Sequence, residues 1–390
     1  MLRPPSAPRP AALGVHVALV ALVALVALAL CATACASSRN SVEASLPAPK
    51  PMTGADARRA YFYARRLYGS EAAFNPLTAF LNNGYDQVRT GAERRFLAFD
   101  YDLGVTGAWQ SIIHAQRVID AYGTSQWVRY ELLPLSGKAE GGGQWVPNYQ
   151  LHLFAGGATY VRLIAWYEQH GVSHARLAAG TTFYAAHFLN EMIENTALTH
   201  GSVDATTDLV IFDPATILLW NWDRVQRFVG SRVEFTEWPG QPTFGLPGRT
   251  IENTFQTTMV RARLPRSTNW RVFTTMGGSY LGGVSRRVGD STWWSLGGGG
   301  DARRNPVIDT LTGRKTVELL GNVGIFVDRS GSLLASLVLK AGFDAGVTLN
   351  VYPGVLQTVP RFGVWTQWLR SRELRFGFTS ALGVGVGRNP

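Results

Sequence analysis

The sequence predicts a mixed fold, in which an α-helical module is inserted before a C-terminal antiparallel β-barrel or barrel-like sheet of the outer-membrane type. Apolar residues occupy every second position from Leu333 to Val351, and the same pattern returns from Leu374 to Val386. Successive side chains of a strand point to opposite faces, so each run has one apolar face and one face that is polar or lined by glycine. Such runs suit a barrel wall with lipid outside and water or polar groups inside.

The N-terminus predicts export. Arg3 and Arg9 precede an apolar stretch at residues 15–30, and small residues follow it. A basic start, an apolar core and small residues before a cleavage site form a secretory signal. We therefore assign residues 1–35 to a signal peptide, with an uncleaved anchor as the alternative, and residues 36–60 to a linker.

The cleavage site has two interpretations. Ala32-Thr33-Ala34 before Cys35 resembles the lipobox of bacterial lipoproteins, which implies a diacylglycerol on Cys35. Residues 34–36 also form an ordinary A-x-A site, which would leave Ser37 at the mature N-terminus. No acidic residue follows the cysteine directly, so the outer membrane is the expected destination.

The cysteine content and the net charge exclude some classes of function. The only cysteines are Cys31 and Cys35, so the mature chain has no internal disulfide, thiolate metal site or cysteine nucleophile. The net charge is +10, and residues 251–390 contain 17 Lys and Arg against 8 Asp and Glu, whereas residues 36–250 contain 18 against 19. Because the chain carries an export signal, we expect membrane lipid rather than nucleic acid as its partner.

The basic residues of the strand-rich half could contact phosphorylated lipid headgroups at loops or face the lumen. The alternative is ordinary solvated loop charge. The arginines concerned are Arg286, Arg287, Arg303, Arg304, Arg370 and Arg372.

Residues 61–144 are predicted to mix helix and strand. A short amphipathic helix is expected over 56–68, and Asn75-Pro76 begins a further helical turn. Alternation predicts a strand over 97–105, and a second strand could cover 126–135.

Residues 145–230 form the predicted helical module, with helices over 149–170, 175–195 and 204–229. Each is apolar around most of its circumference, which indicates burial in protein or membrane. Charged residues interrupt all three, so none is a clean bilayer-spanning segment. Asp213-Pro214 suits an N-cap followed by proline at the first helical position, so we expect two helices to meet there.

Residues 231–390 are predicted to form the barrel. Nine candidate strands have lengths near the ten residues of a tilted membrane strand, and a soluble β-sandwich is the alternative because it shows the same alternation. The candidates are 232–238, 252–263, 270–284, 291–301, 315–327, 332–341, 343–352, 360–369 and 373–387.

A polar stripe marks the helical module as the candidate site. His187, Glu191 and Glu194 lie at helical spacing on one face of an otherwise apolar helix, and Asp204 and Asp208 follow one turn apart on the next. Buried carboxylates need partners. We therefore expect Glu191, Glu194 and Asp208 to form one buried cluster with a base, and the bases in reach are His187 and Arg162, with His152 as a further cation.

Three roles are open for this cluster. It could be a polar network that docks one helix to another. It could bind a metal through His187, Glu191 and Glu194, since imidazole and carboxylate suit zinc, iron or manganese. It could perform acid–base chemistry on a lipid, with His187 as base and Glu191, Glu194 or Asp208 orienting it. No nucleophile or phosphate-binding motif accompanies the stripe, and no cofactor is expected.

The same region resembles a known family. Ala-His-Phe-Leu-Asn-Glu-Met-Ile-Glu-Asn at 186–195, Asp208-Leu209 and Phe-Asp-Pro at 212–214 resemble an uncharacterised bacterial family of outer-membrane-type proteins that carry a domain of unknown function. The resemblance covers about residues 145–230. It implies Glu191, Glu194 and Asp208 as family positions and implies no activity.

Together these features predict an exported, outer-membrane-associated lipoprotein that is structural or that binds or passes lipid or small molecules. The alternative is a membrane-embedded, lipid-modifying enzyme of the acyl hydrolase or transferase type, built around His187, Glu191 and Glu194.

Overall fold

The computed structural model describes residues 62–89, 93–134, 145–195, 199–277, 279–308, 315–341, 346–356, 361–380 and 383–388. Helices occupy the chain up to residue 232, and strands occupy it from residue 234 onward. This order confirms the predicted succession of a helical region and a sheet. The predicted signal peptide, the linker and Cys35 lie outside the described residues.

The helical region consists of eleven described α-helices and three segments with wider, π-type turns. The α-helices are α1 Gly69–Ala72, α2 Pro76–Gly84, α3 Asp86–Arg89, α4 Tyr101–Ile113, α5 Ala115–Tyr122, α6 Thr124–Trp127, α7 Gly156–Gln169, α8 Ala175–Glu194, α9 Val203–Thr207, α10 Asp213–Trp220 and α11 Asp223–Arg232. The wide-turn segments are Val128–Leu132, Trp145–Ala155 and Asp208–Phe212.

The predicted helices over 149–170 and 175–195 are confirmed, although a wide turn precedes α7. The segment predicted over 204–229 is also helical, but it is continuous through Asp213 and breaks at residues 221–222 instead. The expected turn at Asn75 is a capping box that starts α2, because Asn75 accepts from the Thr78 amide while the Thr78 hydroxyl accepts from the Asn75 amide. Residues 62–68 contain no helix, so the described end of the helix predicted over 56–68 is wrong.

The strands predicted over 97–105 and 126–135 are also wrong, because the chain is helical from residue 101 in the first stretch and up to residue 132 in the second, and the other described residues of both stretches form no strand. Asp100 caps α4 by accepting from the Leu103 amide. Gly104 then lets α4 approach α8 so closely that a Cβ atom there would lie 2.4 Å from the Met192 carbonyl oxygen. The small residues on the inward-facing side and the aspartate cap therefore favour a helix, although the local alternation of apolar residues predicts a strand.

Thirteen strands form one mixed sheet. They are β1 Glu234–Glu237, β2 Thr243–Gly245, β3 Thr250–Glu252, β4 Thr257–Arg263, β5 Trp270–Gly277, β6 Ser279–Arg287, β7 Thr292–Ile308, β8 Lys315–Arg329, β9 Ser332–Lys340, β10 Gly346–Val351, β11 Phe362–Leu369, β12 Leu374–Ser380 and β13 Gly385–Arg388. Their order is β1-β4-β5-β6-β7-β8-β9-β10-β11-β12-β13-β2-β3. Antiparallel hairpins connect β4 through β13, and the pair β13–β2 is parallel.

The described sheet is not closed into a barrel, because its hydrogen-bonded order begins at β1 and ends at β3. The nine predicted strands become thirteen partly because 270–284 and 373–387 each contain two. The sheet nevertheless curls, since side chains from β4 through β11 line a single cavity.

Helix α2 lies against the segments that connect the two ends of the sheet, where β1 leads into β2 and β3 leads into β4. The Asn82 amide nitrogen donates to the Gly240 carbonyl at 3.2 Å, and its oxygen accepts from the Phe255 amide at 3.0 Å. One buried side chain therefore satisfies backbone groups of both connections and fixes the helical region to the sheet.

The two sheet faces differ, and the predicted outward orientation holds for part of each alternating run. Leu374, Phe378 and Val386 are exposed on the outer face, and Leu339 joins them. Leu333 and Ala341 instead line the inner cavity, and Val384 packs against a buried cluster that contains Ile251. For Leu333 the reason is a register shift in the β8–β9 pair, which adds one residue between Leu333 and Ala335 and turns Leu333 to the inner face.

Among the described residues, we find no helix with the length and apolar character needed to cross a membrane.

Candidate functional site

Three side chains from separate segments of the helical module converge on one buried point. His152 comes from the wide-turn segment before α7, His187 from the middle of α8, and Asp213 from the first position of α10. One ligand-type atom from each lies within 4.8 Å of the others. Wide π-type turns occur often at functional sites, and here they precede both α7 and α10.

Asp213 is shared by the two imidazoles. Its Oδ1 lies 2.9 Å from His152 Nδ1 and 2.8 Å from His187 Nδ1, and its side chain is fully buried. His152 Nε2 lies 3.3 Å from Asp208 Oδ2. His152 therefore has a carboxylate at each ring nitrogen, which fixes the orientation of its ring.

The carboxylates of this group differ in how readily they ionise. Burial alone would raise the pKa of Asp213, but His187 and His152 outweigh it and hold the pKa at about 2. Burial raises the pKa of Asp208 well above its ordinary value, and Asp204 and Asp213 raise it further. Asp213 is thus an anion that two bases stabilise, whereas Asp208 resists ionisation.

Burial and nearby charge also act against each other on the pKa of His152. Burial disfavours its charged form, but the nearby carboxylates of Asp213, Glu191 and Asp204 more than compensate and raise the pKa of His152. The imidazolium form is therefore favoured at neutral pH relative to a free histidine.

Glu191 and Glu194 continue the site along α8. Glu191 accepts from Asn195 Nδ2 at 2.9 Å, and Glu194 accepts from Gln87 Nε2 at 2.9 Å. Burial raises the pKa of Glu191 well above its ordinary value, and the neighbouring Glu194, Asp208 and Asp204 add to the effect.

The structure places the predicted cluster as follows. Glu191, Glu194 and Asp208 are all buried, as expected, but the expected partners are different. His187 pairs with Asp213 rather than with a glutamate. Arg162 is also buried and binds Glu237 of β1 at 3.2 Å, so it contributes no cation to this site.

Sequence reasoning missed the role of Asp213, which it assigned to helix capping. Phe212 occupies the cap position and Asp213 is the first helical residue, so its carboxylate is free to meet the imidazoles. His152 was expected only as a supplementary cation. The sequence did contain a signal for this site, because each of the three apolar helical segments carries a histidine or an aspartate.

The contacts of the cluster suit the binding of a charged ligand better than the activation of a nucleophile. Within the described ranges, neither His152 nor His187 forms a hydrogen bond to a hydroxyl or thiol. A histidine base that activates a nucleophile needs such a neighbour. The set of two imidazoles and a carboxylate is, by contrast, a common metal-binding combination.

A second feature is the cavity enclosed by the curled sheet, with a volume of about 130 Å³. Its wall is apolar at Trp238, Leu281 and Phe326. It becomes charged where Lys340 Nζ lies 2.7 Å from Asp301 Oδ2 and Arg89 of α3 also pairs with Asp301. The cavity thus combines an apolar wall with fixed charges, which is typical of ligand sites.

No family model, curated protein or solved structure matches this chain.

Proposed function

We propose that this protein is an exported, outer-membrane-associated protein whose curled sheet faces lipid with its outer surface and whose cavity binds or passes lipid or small amphiphilic molecules. The observation that carries the proposal is an apolar belt on the outer face, made of three rows of side chains in cross-strand register, of which the third is covered at Val327 and Ala335. In this proposal, the open sheet forms part of a wall in the outer membrane.

The first row of the belt crosses six successive strands without a polar residue. Its members are Val272, Val284, Leu296, Ile325, Leu337 and Leu349. The second row crosses five strands. Its members are Val323, Leu339, Val347, Trp368 and Leu374.

The third row begins with an aromatic residue on β7 and continues to β13. Its members are Trp294, Val327, Ala335, Val351, Val364, Phe378 and Val386. Alternate positions on the same strands face the cavity and include Ser336, Lys340 and Asn350. An apolar outer face over an inner face that also carries polar side chains suits a sheet in contact with lipid.

Solvent exposure supports the same orientation. Leu296, Leu339, Leu374 and Phe378 are each about half exposed, at 53, 42, 51 and 49%. Contiguous apolar patches of this kind are rare on soluble monomers and mark contact with protein or membrane.

Helix α4 shows a related pattern. It buries Gly104, Gly107 and Ser111 and exposes Trp109 and Ile113. Helices that pack through small residues and turn large apolar residues outward are common in lipid. The helical region near α4 therefore supports contact with the membrane surface as well.

Phosphorylated headgroups are the proposed contacts of the basic turns. Arg370 and Arg372 are exposed beside the β11–β12 turn. Arg286 lies over the ring of Trp270, which places a cation beside an interfacial type of aromatic residue. The side chains of Arg303 and Arg304 lie outside the described residues.

A pair of arginine substitutions tests the proposal. In protein folded into phospholipid vesicles, Leu339→Arg should lower the free energy of unfolding by about 2–4 kcal/mol, the cost of a charge on a lipid-facing strand. Leu177→Arg is the matched control, because Leu177 is an exposed leucine of α8 outside the belt.

The control should change stability by no more than about 0.5 kcal/mol, as for ordinary surface substitutions. An exposed leucine that faces water tolerates arginine. Equal, small effects of the two substitutions, measured by urea titration of tryptophan fluorescence, would therefore contradict a lipid-facing belt.

The alternative of a lipid-modifying enzyme has less support. His187 is oriented by Asp213, as a general base should be. However, the described site supplies neither imidazole with a hydroxyl to activate. Glu191 and Glu194 contact amide side chains instead.

A further inference from the structure

We infer that His152, His187 and Asp213 form a binding site for a divalent transition-metal ion of the Zn²⁺ class, and that Asp208 orients His152 from the Nε2 side of its ring. This goes beyond the proposed membrane role, because it concerns the helical module and does not depend on the orientation of the sheet. The first support is convergence, since ligand-type atoms of the first three residues all lie within 4.8 Å of one another.

The second support is a carboxylate oxygen without a partner. Asp213 Oδ2 is buried and accepts no hydrogen bond from any described residue. Asp213 itself is 0% exposed. A buried, unsatisfied carboxylate oxygen is costly, and a metal ion would satisfy it.

The third support is the balance of charge. Glu191, Asp208 and Asp213 lie in one buried region, and the described ion pairs give none of them a lysine or arginine partner. Arg162, the buried arginine of the module, is paired with Glu237. A divalent cation would supply positive charge that neither a lysine nor an arginine supplies to these carboxylates.

The donor set indicates which ion. Two imidazoles with one carboxylate suit zinc, iron or manganese. Calcium and magnesium prefer sites made of oxygen ligands. His187 also lies beside the ring of Phe183, at 4.2 Å between ring centroids, so the imidazole orientation is fixed by packing as well as by Asp213.

The test uses the whole purified chain in detergent, stripped with EDTA and then titrated with Co²⁺, whose visible absorption reports nitrogen and oxygen ligation. We expect one Co²⁺ per chain, displaced by an equivalent of Zn²⁺, with metal content confirmed by elemental analysis. A thousandfold excess of Ca²⁺ or Mg²⁺ should leave the absorption unchanged.

Three conservative variants locate the site. His187→Gln and Asp213→Asn should each lose stoichiometric Co²⁺ binding, and Asp208→Asn should weaken it at least tenfold. His200→Ala is the control and should bind like the wild type, because His200 is an exposed histidine outside the cluster.

Several results would overturn the inference. The wild-type chain could take up less than one ion, or Ca²⁺ could displace Co²⁺ at comparable concentration. His187→Gln could also retain full binding while folded by circular dichroism. If the buried variants fail to fold, the wild-type titration still decides, because stoichiometric Co²⁺ uptake that excess Ca²⁺ does not displace requires a site that is not made of oxygen ligands alone. If the wild-type chain takes up no Co²⁺, a His–Asp hydrogen-bond network without metal is the correct description.

Discussion

Asp213 is the residue on which the buried cluster of the helical module depends, and Asp213→Asn tests that dependence. The substitution keeps the size of the side chain but removes the charge that both imidazoles contact at 2.8 and 2.9 Å. Asparagine can still accept one hydrogen bond through its oxygen. The variant therefore isolates the value of the charge from the value of packing.

The magnitude follows from the pKa of Asp213, which is held at about 2 against an ordinary value of 3.8. One pKa unit corresponds to roughly 1.36 kcal/mol. The ionised form of Asp213 therefore contributes about 2 kcal/mol to stability. We expect Asp213→Asn to lower the free energy of unfolding by this amount.

The loss should depend on pH with a defined sign. The folded pKa of Asp213 is depressed, so its contribution is complete above about pH 3.8 and is lost as the pH falls through about 2. The pKa of His152 is raised above 6.5, so its contribution is complete below that pH and is lost as the pH rises through the raised value. The difference between variant and wild type should therefore be largest between about pH 4 and 6.5.

The assay is urea unfolding followed by tryptophan fluorescence, in EDTA so that bound metal does not contribute. Asp223→Asn is the matched control, because Asp223 forms an ion pair with Arg176 that is about half exposed. Such surface pairs contribute about 0–1 kcal/mol. Equal losses in the two variants, or a loss for Asp213→Asn that does not vary with pH, would refute the reasoning.

Three further outcomes follow from the same structure. Gly104→Ala should destabilise the chain by about 1–3 kcal/mol, because its Cβ would meet the Met192 carbonyl at 2.4 Å, whereas Gly282→Ala, with open space around it, should be nearly neutral; thermal unfolding compares them. Glu191→Gln should become more stabilising relative to wild type as the pH rises above about 4.5, because the folded pKa of Glu191 is raised and its ionisation costs stability; urea titrations at several pH values measure this. Cys35→Ala should abolish labelling by a fatty-acid analogue, and a mature N-terminus at Ser37 found by mass spectrometry would instead show cleavage without lipidation.

The sheet was the most predictable part of the fold, because side-chain alternation is a local signal that survives in long strands. Strands β8 to β12 occupy the predicted stretches. The face of Leu333 was not predictable, since the extra residue between Leu333 and Ala335 is set by pairing with β8. A bulge of this kind leaves no mark on the pattern of the single strand.

Helix α4 shows why the early part of the chain was misassigned. Its large apolar residues face outward and its glycines face inward, toward α8. Periodicity arguments assume that apolar residues are buried, and this helix reverses the assumption. The spacing of Gly104, Gly107 and Ser111 was the helical signal that remained.

Only part of the candidate site could be predicted from the sequence. His187 and Glu191 share one face of α8, and their spacing along a single helix shows this directly. Their relation to His152 and Asp213 depends on how three helical segments pack, and on wide turns that shift the register before α7 and α10. No short-range pattern specifies that packing.

Adjacent residues of β9 can show directly whether the outer face of the curled sheet contacts lipid, as we propose. Single cysteines at Leu339 and Val338, in a chain with Cys31 and Cys35 replaced by serine, would carry spin labels on the outer face and toward the cavity. In vesicles, the label at 339 should collide with lipid-soluble oxygen and be shielded from a water-soluble nickel reagent. If the nickel reagent reaches the label at 339 as freely as it reaches a label at exposed His200, the outer face is in water and the account is contradicted.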